Sequence, residues 1–514
     1  MSFWEPENLR AITVGRWLRR PTERGGHVEP TGVSTDSRTL RGGQVFIALR
    51  GERFDGHDYL DEAAGAGARL VIVDREAVPE PEGRAGVLLV DDTLGAMARL
   101  ATAYRRTLSA TVIAITGSVG KTTTKQMVDA ILSPHMPGAA SARSFNNHIG
   151  VPLTLLNASP RDRYLVVEAG TNAPGEIDFL ARIIQPDVAV ITAIGLAHVE
   201  KLGGREGIAA EKSALLRRLR DGGLAIVTGD APELEPYLKL APRLIRFGEA
   251  ERCDLRLTAV EDEAGRVRFE VNGRRWFELP CPGAHNAWNA LAAVGVGRHM
   301  KLDDDAIAEG LGRYEPPPMR LNARRIGGPA GVTLINDAYN ANPTSMAAAI
   351  ETLESMARAS GGRAVAVLGE MAELGERSPE LHRALGERLA GSGVDTAVLI
   401  GRDALYAAEA LGRAWAGSRI RPIAAWTEGT AEEVATMLRA GDTVLIKASR
   451  SAALERLVPA IEARFARPGG GASDGAAAGP EPRGGPEPEP DVEVDPSPAR
   501  GDEANQGKPD RTPR

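Results

Sequence analysis

The sequence predicts an α/β protein built from three modules and a disordered tail, the second and third modules being doubly wound parallel sheets. Three observations carry this. Short β-branched apolar runs alternate with helix-like segments from about residue 108, the pattern of a parallel sheet covered on both faces. The alternation breaks at Glu315-Pro316-Pro317-Pro318 and then restarts. From Arg467 the chain turns Gly/Pro/Ala/Glu-rich and nearly loses its large apolar residues, too few to offset chain entropy. The expected divisions are therefore 1–107, 108–318, 319–466 and 467–514.

Composition allows this. A chain of 514 residues, 43% hydrophobic, can form three ordinary domains with their own cores. Aromatics are 4%, so the cores must rest on Ala, Val, Leu and Ile. A net charge of −7 argues against a general nucleic-acid binder. Two cysteines, Cys253 and Cys281, make no disulfide framework and fit a reducing compartment. No signal-like apolar segment or run of membrane-spanning length is present, so a cytoplasmic protein without a membrane span is expected, with a monomer as its expected state.

In the first module, strands are expected at Val45 to Leu49, Leu70 to Val73 and Val87 to Val90, with a helix from Asp58. Two polar loops, Val33-Ser34-Thr35-Asp36-Ser37-Arg38 and Asp55-Gly56-His57-Asp58, flank the first strand and can offer hydroxyls, an arginine and backbone N–H groups. Turns capped by Asp would look the same. In the second module, strands are expected at Val112 to Ile115, Tyr164 to Glu168, Val188 to Ala193 and Leu224 to Thr228. Arg252 to Leu279 alternates like an antiparallel edge with a hairpin at Asn272-Gly273, and Asn286 to Met300 reads as a helix. The third module should hold strands at Val332 to Ile335, Val365 to Leu368, Ala397 to Ile400, Ile420 to Ala424 and Thr443 to Ile446.

The most informative stretch follows the strand at Val112. Gly117-Ser118-Val119-Gly120-Lys121-Thr122-Thr123 is a glycine loop between a strand and a helix expected over Lys125 to Leu132. Backbone N–H groups and the positive end of the helix dipole would face an anion. Gly117 and Gly120 would permit the tight backbone, Lys121 would reach β- and γ-phosphates, and the Thr122 hydroxyl would sit on Mg²⁺. The usual Walker spacing has glycine where this chain has Ile115, so the flanking strand and helix carry the assignment of an ATP site.

Glu168 ends a strand of the same sheet, where a carboxylate is a natural metal ligand. His198 lies just beyond another strand, and Lys212, in Ala210-Glu211-Lys212-Ser213-Ala214-Leu215, is expected to begin a helix. Taken one at a time, a solvated acid, a capping histidine and a surface lysine explain them equally well or better.

A wider pattern changes that balance. Ile115 to Lys125, Asn146-Asn147-His148-Ile149-Gly150, Glu168-Ala169-Gly170-Thr171-Asn172, His285-Asn286-Ala287-Trp288-Asn289, Met319-Arg320, Asn336-Asp337-Ala338-Tyr339-Asn340-Ala341-Asn342 and Leu368-Gly369-Glu370-Met371-Ala372-Glu373-Leu374-Gly375 occur in that order. Together they resemble the Mur ligase family from about residue 30 to 460. The resemblance implies a three-domain Mur ligase architecture: a small N-terminal α/β domain for a UDP-sugar, a central P-loop ATPase-like sheet and a C-terminal Rossmann-like domain. It implies an ATP- and Mg²⁺-dependent ligase, adding D-alanyl-D-alanine to a UDP-N-acetylmuramoyl-tripeptide through an acyl phosphate.

Carried onto matching positions, Thr122 and Glu168 would hold the nucleotide's metal, and Glu168, His198 and a carbamylated Lys212 would address a second ion. Asn286, Asn289, Arg320 and Asp337 would grip adenine and ribose, with His285 nearby. Ser34, Asp36, Ser37, Arg38 and His57 would recognise the uridine nucleotide. Asn146, Asn147, Thr171 and Asn172 would meet the peptide or the phosphates, and Tyr339, Asn340, Asn342, Lys447, Ser449 and Arg450 the incoming amine. A sister reaction adding a diamino acid or glutamate would use the same Glu168, His198 and Lys212. A non-catalytic ATP-gated scaffold belongs to another class, and the competent residue types at every metal and nucleotide position argue against it.

Overall fold

A computed structural model describes residues 2–21, 29–51, 54–76, 85–263, 265–328, 331–415 and 417–466. The tail expected from residue 467 lies outside the described residues. The described chain forms two compact units, Trp4–Thr93 and the chain from Leu94 onward, to which Phe3 also belongs.

The first unit holds a five-stranded sheet of β1 (Arg16–Arg19), β2 (Val33–Ser34), β3 (Val45–Ile47), β4 (Leu70–Val73) and β5 (Gly86–Leu89), ordered β1-β5-β4-β3-β2. All neighbours are parallel except β1 on β5. The apolar run of β4 is buried at every position, as expected of a central parallel strand. Phe46, Leu60, Ala63, Val71, Val73 and Val87 form the core under the helix Leu60–Gly65.

The second unit contains two sheets. The larger comprises β6 (Thr111–Thr116), β7 (Gly138–Ala140), β8 (Tyr164–Glu168), β9 (Val188–Ile191), β10 (Leu224–Thr228), β11 (Arg243–Gly248), β12 (Leu255–Glu263), β13 (Arg266–Val271) and β14 (Arg275–Leu279), ordered β14-β13-β12-β11-β10-β9-β6-β8-β7. From β7 to β12 it is parallel; β12, β13 and β14 are antiparallel, as their alternation predicts. The hairpin turns at Asn272 and Gly273, both at positive φ (58° and 65°), the conformation an Asn-Gly pair favours. After β6 the chain builds one side of the sheet and then crosses to the other, so the end of β6 is the switch point where such sheets bind ligands. The edge strand β7 gave no apolar signal because its Gly-Ala-Ala run makes room for a neighbour: a Cβ at Gly138 would fall 2.2 Å from the Tyr164 ring.

The last sheet comprises β15 (Asn322–Ile326), β16 (Val332–Asn336), β17 (Ala364–Gly369), β18 (Thr396–Ile400), β19 (Ile420–Ile423) and β20 (Thr443–Lys447), ordered β15-β16-β20-β17-β18-β19. It is parallel except at β15. Inserting β20 between β16 and β17 sets Asp337, Lys447 and Glu370 at adjoining strand ends. The helix Thr93–Arg105 is tied to the larger sheet's layers: the Tyr104 hydroxyl donates to Ala158 O (2.9 Å), and buried Arg105 binds Ile184 O and Asp187.

Candidate active site

The phosphate loop is held in shape by its neighbours. Gly120, at φ 83°, caps the helix Lys121–Leu132, which starts four residues before the expected Lys125. A Cβ at Gly120 would lie 2.1 Å from Asn289 Oδ1, and one at Gly117 would lie 1.9 Å from Thr192 Oγ1, so both positions require glycine. Thr192 donates to Val119 O (2.5 Å), while the Ser118 hydroxyl donates to Gly195 O and accepts from Gly195 N (2.9 and 3.0 Å). Lys121 folds back, its Nζ donating to Gly117 O at 2.9 Å. Burial lowers its pKa, Arg320 adds to this, and Glu168 opposes it.

Glu168 is the electrostatic centre. It is 1% exposed, with Oε2 accepting from Thr122 Oγ1 and Oε1 from Asn146 Nδ2, both at 2.9 Å. Burial alone would raise its pKa; Lys125, Lys121 and Arg320 prevail, so its carboxyl sits below the usual range. Lys125 had no expected role. It is buried one helical turn beyond Lys121, 3.6 Å from Glu168 Oε2, and its ammonium also holds Ser141 O (2.7 Å) and Arg143 O. Its i, i+4 spacing from the loop lysine was the available signal.

Lys212 lies in the last turn of the helix Arg205–Ser213 and not at the start of one as expected; it is 1% exposed, with no hydrogen-bond or ion-pair partner for its ammonium among the described residues. The adjacent Glu211 turns its two oxygens to Gly175 N and Ile177 N (both 2.8 Å) and acts on Lys212 as a nearby negative charge that only partly opposes the effect of burial. Burial, reinforced by Lys121, brings the Lys212 pKa down to about 7. His198 adopts φ 54°, and its Nδ1 lies 2.5 Å from Glu373 Oε2 of the last sheet. The ring nitrogen and the carboxylate oxygen are in close contact without an aligned hydrogen bond. The contact lowers the Glu373 pKa.

The segment around Arg320 joins the two sheets. Arg320 stacks on Tyr339 (4.0 Å to the ring centroid) and donates to Ser144 Oγ at 3.3 Å. Asp337 accepts from Leu321 N (3.1 Å) and pairs with buried Lys447 (2.6 Å), which also holds Asn340 O (2.9 Å). Burial pushes the His285 pKa down to about 4, with Asp337 opposing and Lys447 assisting. Asn286 donates to Pro282 O (2.8 Å) and accepts from Asn289 (3.1 Å). Ser449 binds Glu370 O through its N–H and hydroxyl, and Arg450 pairs with Glu455 at 2.5 Å.

Several expected ligand contacts have local structural partners. The Asn342 side chain caps the helix Pro343–Ser360 in a capping box with Ser345. Asn147 Oδ1 accepts Ile149 N and Gly150 N, Thr171 Oγ1 donates to Ala173 O, and Asn172 N donates to Glu176. Within the first unit, His57 is 1% exposed and held between Asp55 and Asp74, which tie down its loop. Buried Ser34 donates to Asp36 O, Asp36 pairs with Arg38 (2.9 Å), and Ser37 donates to Glu62.

The donor set fits a hard cation that keeps phosphate or water ligands. Thr122 and Glu168 offer oxygens, and no cluster of three His, Cys, Asp or Glu side chains able to enclose a metal occurs among the described residues.

Comparison with known proteins gives consistent results across the chain. Residues 29–105 match the Mur ligase family catalytic domain, 115–297 the Mur ligase middle domain, and 319–450 the Mur ligase glutamate ligase domain. The UDP-N-acetylmuramoyl-tripeptide–D-alanyl-D-alanine ligase of Bacillus subtilis is 38% identical over 430 residues, 83% of this chain and 92% of its own. The Escherichia coli enzyme of that name is 34% identical over 447 residues, 85% and 95% of the two chains. Crystalline MurF from Acinetobacter baumannii superposes with a TM-score of 0.78 at 32% identity, covering 89% of this chain and 99% of its own. MurF ligase from Thermotoga maritima, solved in complex with ADP, gives 0.73 at 30% identity, covering 84% and 97%.

Proposed function

Because this chain belongs to the Mur ligase family, we infer that it is an ATP-dependent ligase joining D-alanyl-D-alanine to a UDP-N-acetylmuramoyl-tripeptide, which completes the pentapeptide precursor of peptidoglycan. Among the described residues no helix is long and apolar enough to cross a membrane.

The chemistry asks for cations and oriented donors. A carboxylate resists attack by an amine because it is an anion, so ATP first converts it to an acyl phosphate. The amine then adds, and phosphate leaves from the tetrahedral intermediate. The N–H groups of Gly117 to Thr122 and the Lys121 ammonium gather the phosphate oxygens and offset their charge. Thr122 and Glu168 would hold Mg²⁺, which supplies Lewis-acid stabilisation of the transferring phosphoryl group. Lys212, with a pKa of about 7 and no hydrogen-bond partner among the described residues, is half neutral near neutrality and so able to take up CO₂. The resulting carbamate would offer anionic oxygen for a second ion, the role assigned to it together with Glu168 and His198.

Asn286, Asn289, Arg320 and Asp337 are assigned to the nucleoside, with the Arg320 guanidinium stacked on Tyr339. Asn146 and Asn172 are assigned to the peptide or phosphates. Tyr339, Asn340, Lys447, Ser449 and Arg450 are assigned to the dipeptide. In the first unit, Ser34, Asp36, Ser37 and Arg38 are assigned to the uridine nucleotide.

The observation that carries this reading is buried Glu168, hydrogen-bonded to the phosphate-loop Thr122 and to Asn146. A substrate panel tests it. Protein with ATP, Mg²⁺, the UDP-muramoyl tripeptide and D-alanyl-D-alanine should release phosphate, while glutamate in place of the dipeptide should not. Equal turnover with both amines would remove the dipeptide assignment, and none with either would remove the ligase.

A further inference from the structure

The segment Ala193 to Glu200 touches both the phosphate loop and the last sheet. At its start, Ala193 O accepts from Ser118 N (2.9 Å), and Gly195 exchanges two hydrogen bonds with the Ser118 hydroxyl (2.9 and 3.0 Å). Next it enters the last sheet's layers. Leu196 packs against that sheet's core, and a Cβ at Gly195 would lie 2.6 Å from Thr344 Oγ1 of the helix Pro343–Ser360. At its end His198 meets Glu373 at 2.5 Å, and Glu200 packs so near Gly375 that a Cβ there would lie 2.8 Å from Glu200 Cγ.

Both members of this contact are held in left-handed backbone, His198 at φ 54° and Glu373 at φ 60°. Non-glycine residues keep that conformation where the surroundings impose it. Around Glu373 they do. Met371 N donates to His382 Nε2 (3.1 Å), and Glu370 accepts Asp403 N at its side chain (2.8 Å) and Ser449 N at its carbonyl (2.9 Å). Met371 and Leu374, on either side, are each 2% exposed. The last sheet therefore presents Glu373 on a fixed loop to a histidine whose segment is hydrogen-bonded to the phosphate loop.

We propose that Glu373 is a positioning residue for His198, and that the segment Ala193 to Glu200 is the coupling element through which seating of the last sheet's domain orients the imidazole. This rests on the ligase reading for its kinetic consequence. Its structural basis is the chain of contacts from Ser118 through Gly195 and Leu196 to His198 and Glu373. The carboxylate acts through His198 and touches no reacting atom. Partners that orient a metal-site histidine typically contribute about 10- to 100-fold in activity or metal affinity.

The full chain is compared with Glu373→Gln, which keeps length and loses charge, and Glu373→Ala, which loses both. Three measurements are made: kcat for phosphate release with D-alanyl-D-alanine, affinity for ADP, and amide hydrogen exchange by peptide. The expected pattern in Glu373→Ala is kcat down about 10- to 100-fold, ADP affinity within about twofold, and faster exchange confined to residues 193–202, with Glu373→Gln between it and the unaltered chain. Unchanged kcat or unchanged exchange in that segment overturns the proposal. Equal losses of kcat and ADP affinity, or exchange rising throughout 319–466, also overturn it, since they mark a general structural role. If the unaltered chain releases no phosphate, the assigned reaction fails instead, and the exchange comparison alone decides the coupling.

Discussion

Thr122 Oγ1 donates to Glu168 Oε2 across 2.9 Å, joining the first turn of the phosphate-loop helix to the end of β8. The two oxygens that a hard cation would use are thus already paired, and Asn146 holds the other carboxylate oxygen. Lys125 stands 3.6 Å away as a fixed positive charge that keeps the carboxylate ionised while buried.

Glu168→Gln keeps shape and removes the charge. Phosphate release should fall at least about 100-fold, and its dependence on Mg²⁺ concentration should shift to higher values. ADP affinity measured with chelator present should change little. Retained turnover at ordinary Mg²⁺ would separate Glu168 from the metal.

Lys212→Ala should abolish turnover while leaving ATP affinity largely intact, and added bicarbonate should not restore it. Lys212→Met gives a stability test in CO₂-free buffer. The folded pKa of about 7 lies below the unfolded value, so the unfolded chain binds more protons between those two pH values. Stability of the unaltered protein should therefore rise with pH from about 7 towards 10 relative to the variant. At and below pH 7 the Met variant should be the more stable, by an amount on the order of 4 kcal/mol at most. A gap that does not vary with pH in thermal melts would show that Lys212 is not a desolvated ammonium.

Gly120→Ala sets a Cβ 2.1 Å from Asn289 Oδ1 at φ +83°. Loop distortion should weaken ADP binding by about tenfold or more, together with a strain cost of about 1–2 kcal/mol. Gly175→Ala is the control, since it has φ +88° with nothing within 4 Å of its new Cβ. It should show the strain in melts with nucleotide affinity preserved. Equal nucleotide affinity in both variants would refute the close-approach argument.

Asn342→Ala removes the capping box of the helix Pro343–Ser360. Stability should drop by about 1 kcal/mol, with the KM for D-alanyl-D-alanine within about twofold. A tenfold rise in that KM, with unchanged stability, would return Asn342 to the dipeptide contacts.

Particular residues mark how far the sequence could be read. Leu70-Val71-Ile72-Val73, Tyr164 to Glu168 and Leu224 to Thr228 were legible to the residue, because strands buried on both faces are continuous apolar runs. Asn272-Gly273 announced its hairpin for a local reason, the cheap positive φ. The strands Gly138–Ala140 and Arg243–Gly248 were missed, the former because its small residues fit under Tyr164 and carry no period of their own. The local partners of His57 and Asn342 were not legible in the sequence, because a polar side chain in a loop reads the same whether it caps a turn or waits for substrate.

What the amino-acid order determined alone was everything encoded within a few neighbouring residues: the strands, the phosphate loop with Gly117, Gly120, Lys121 and Thr122, and the turn chemistry. Tertiary structure decided which distant groups meet. It set Lys125 beside Glu168, turned the Glu211 oxygens to Gly175 N and Ile177 N, and brought Glu373 to His198. Those pairings depend on strand order and on how two sheets pack, and side-chain electrostatics acts through space between residues that no local pattern connects.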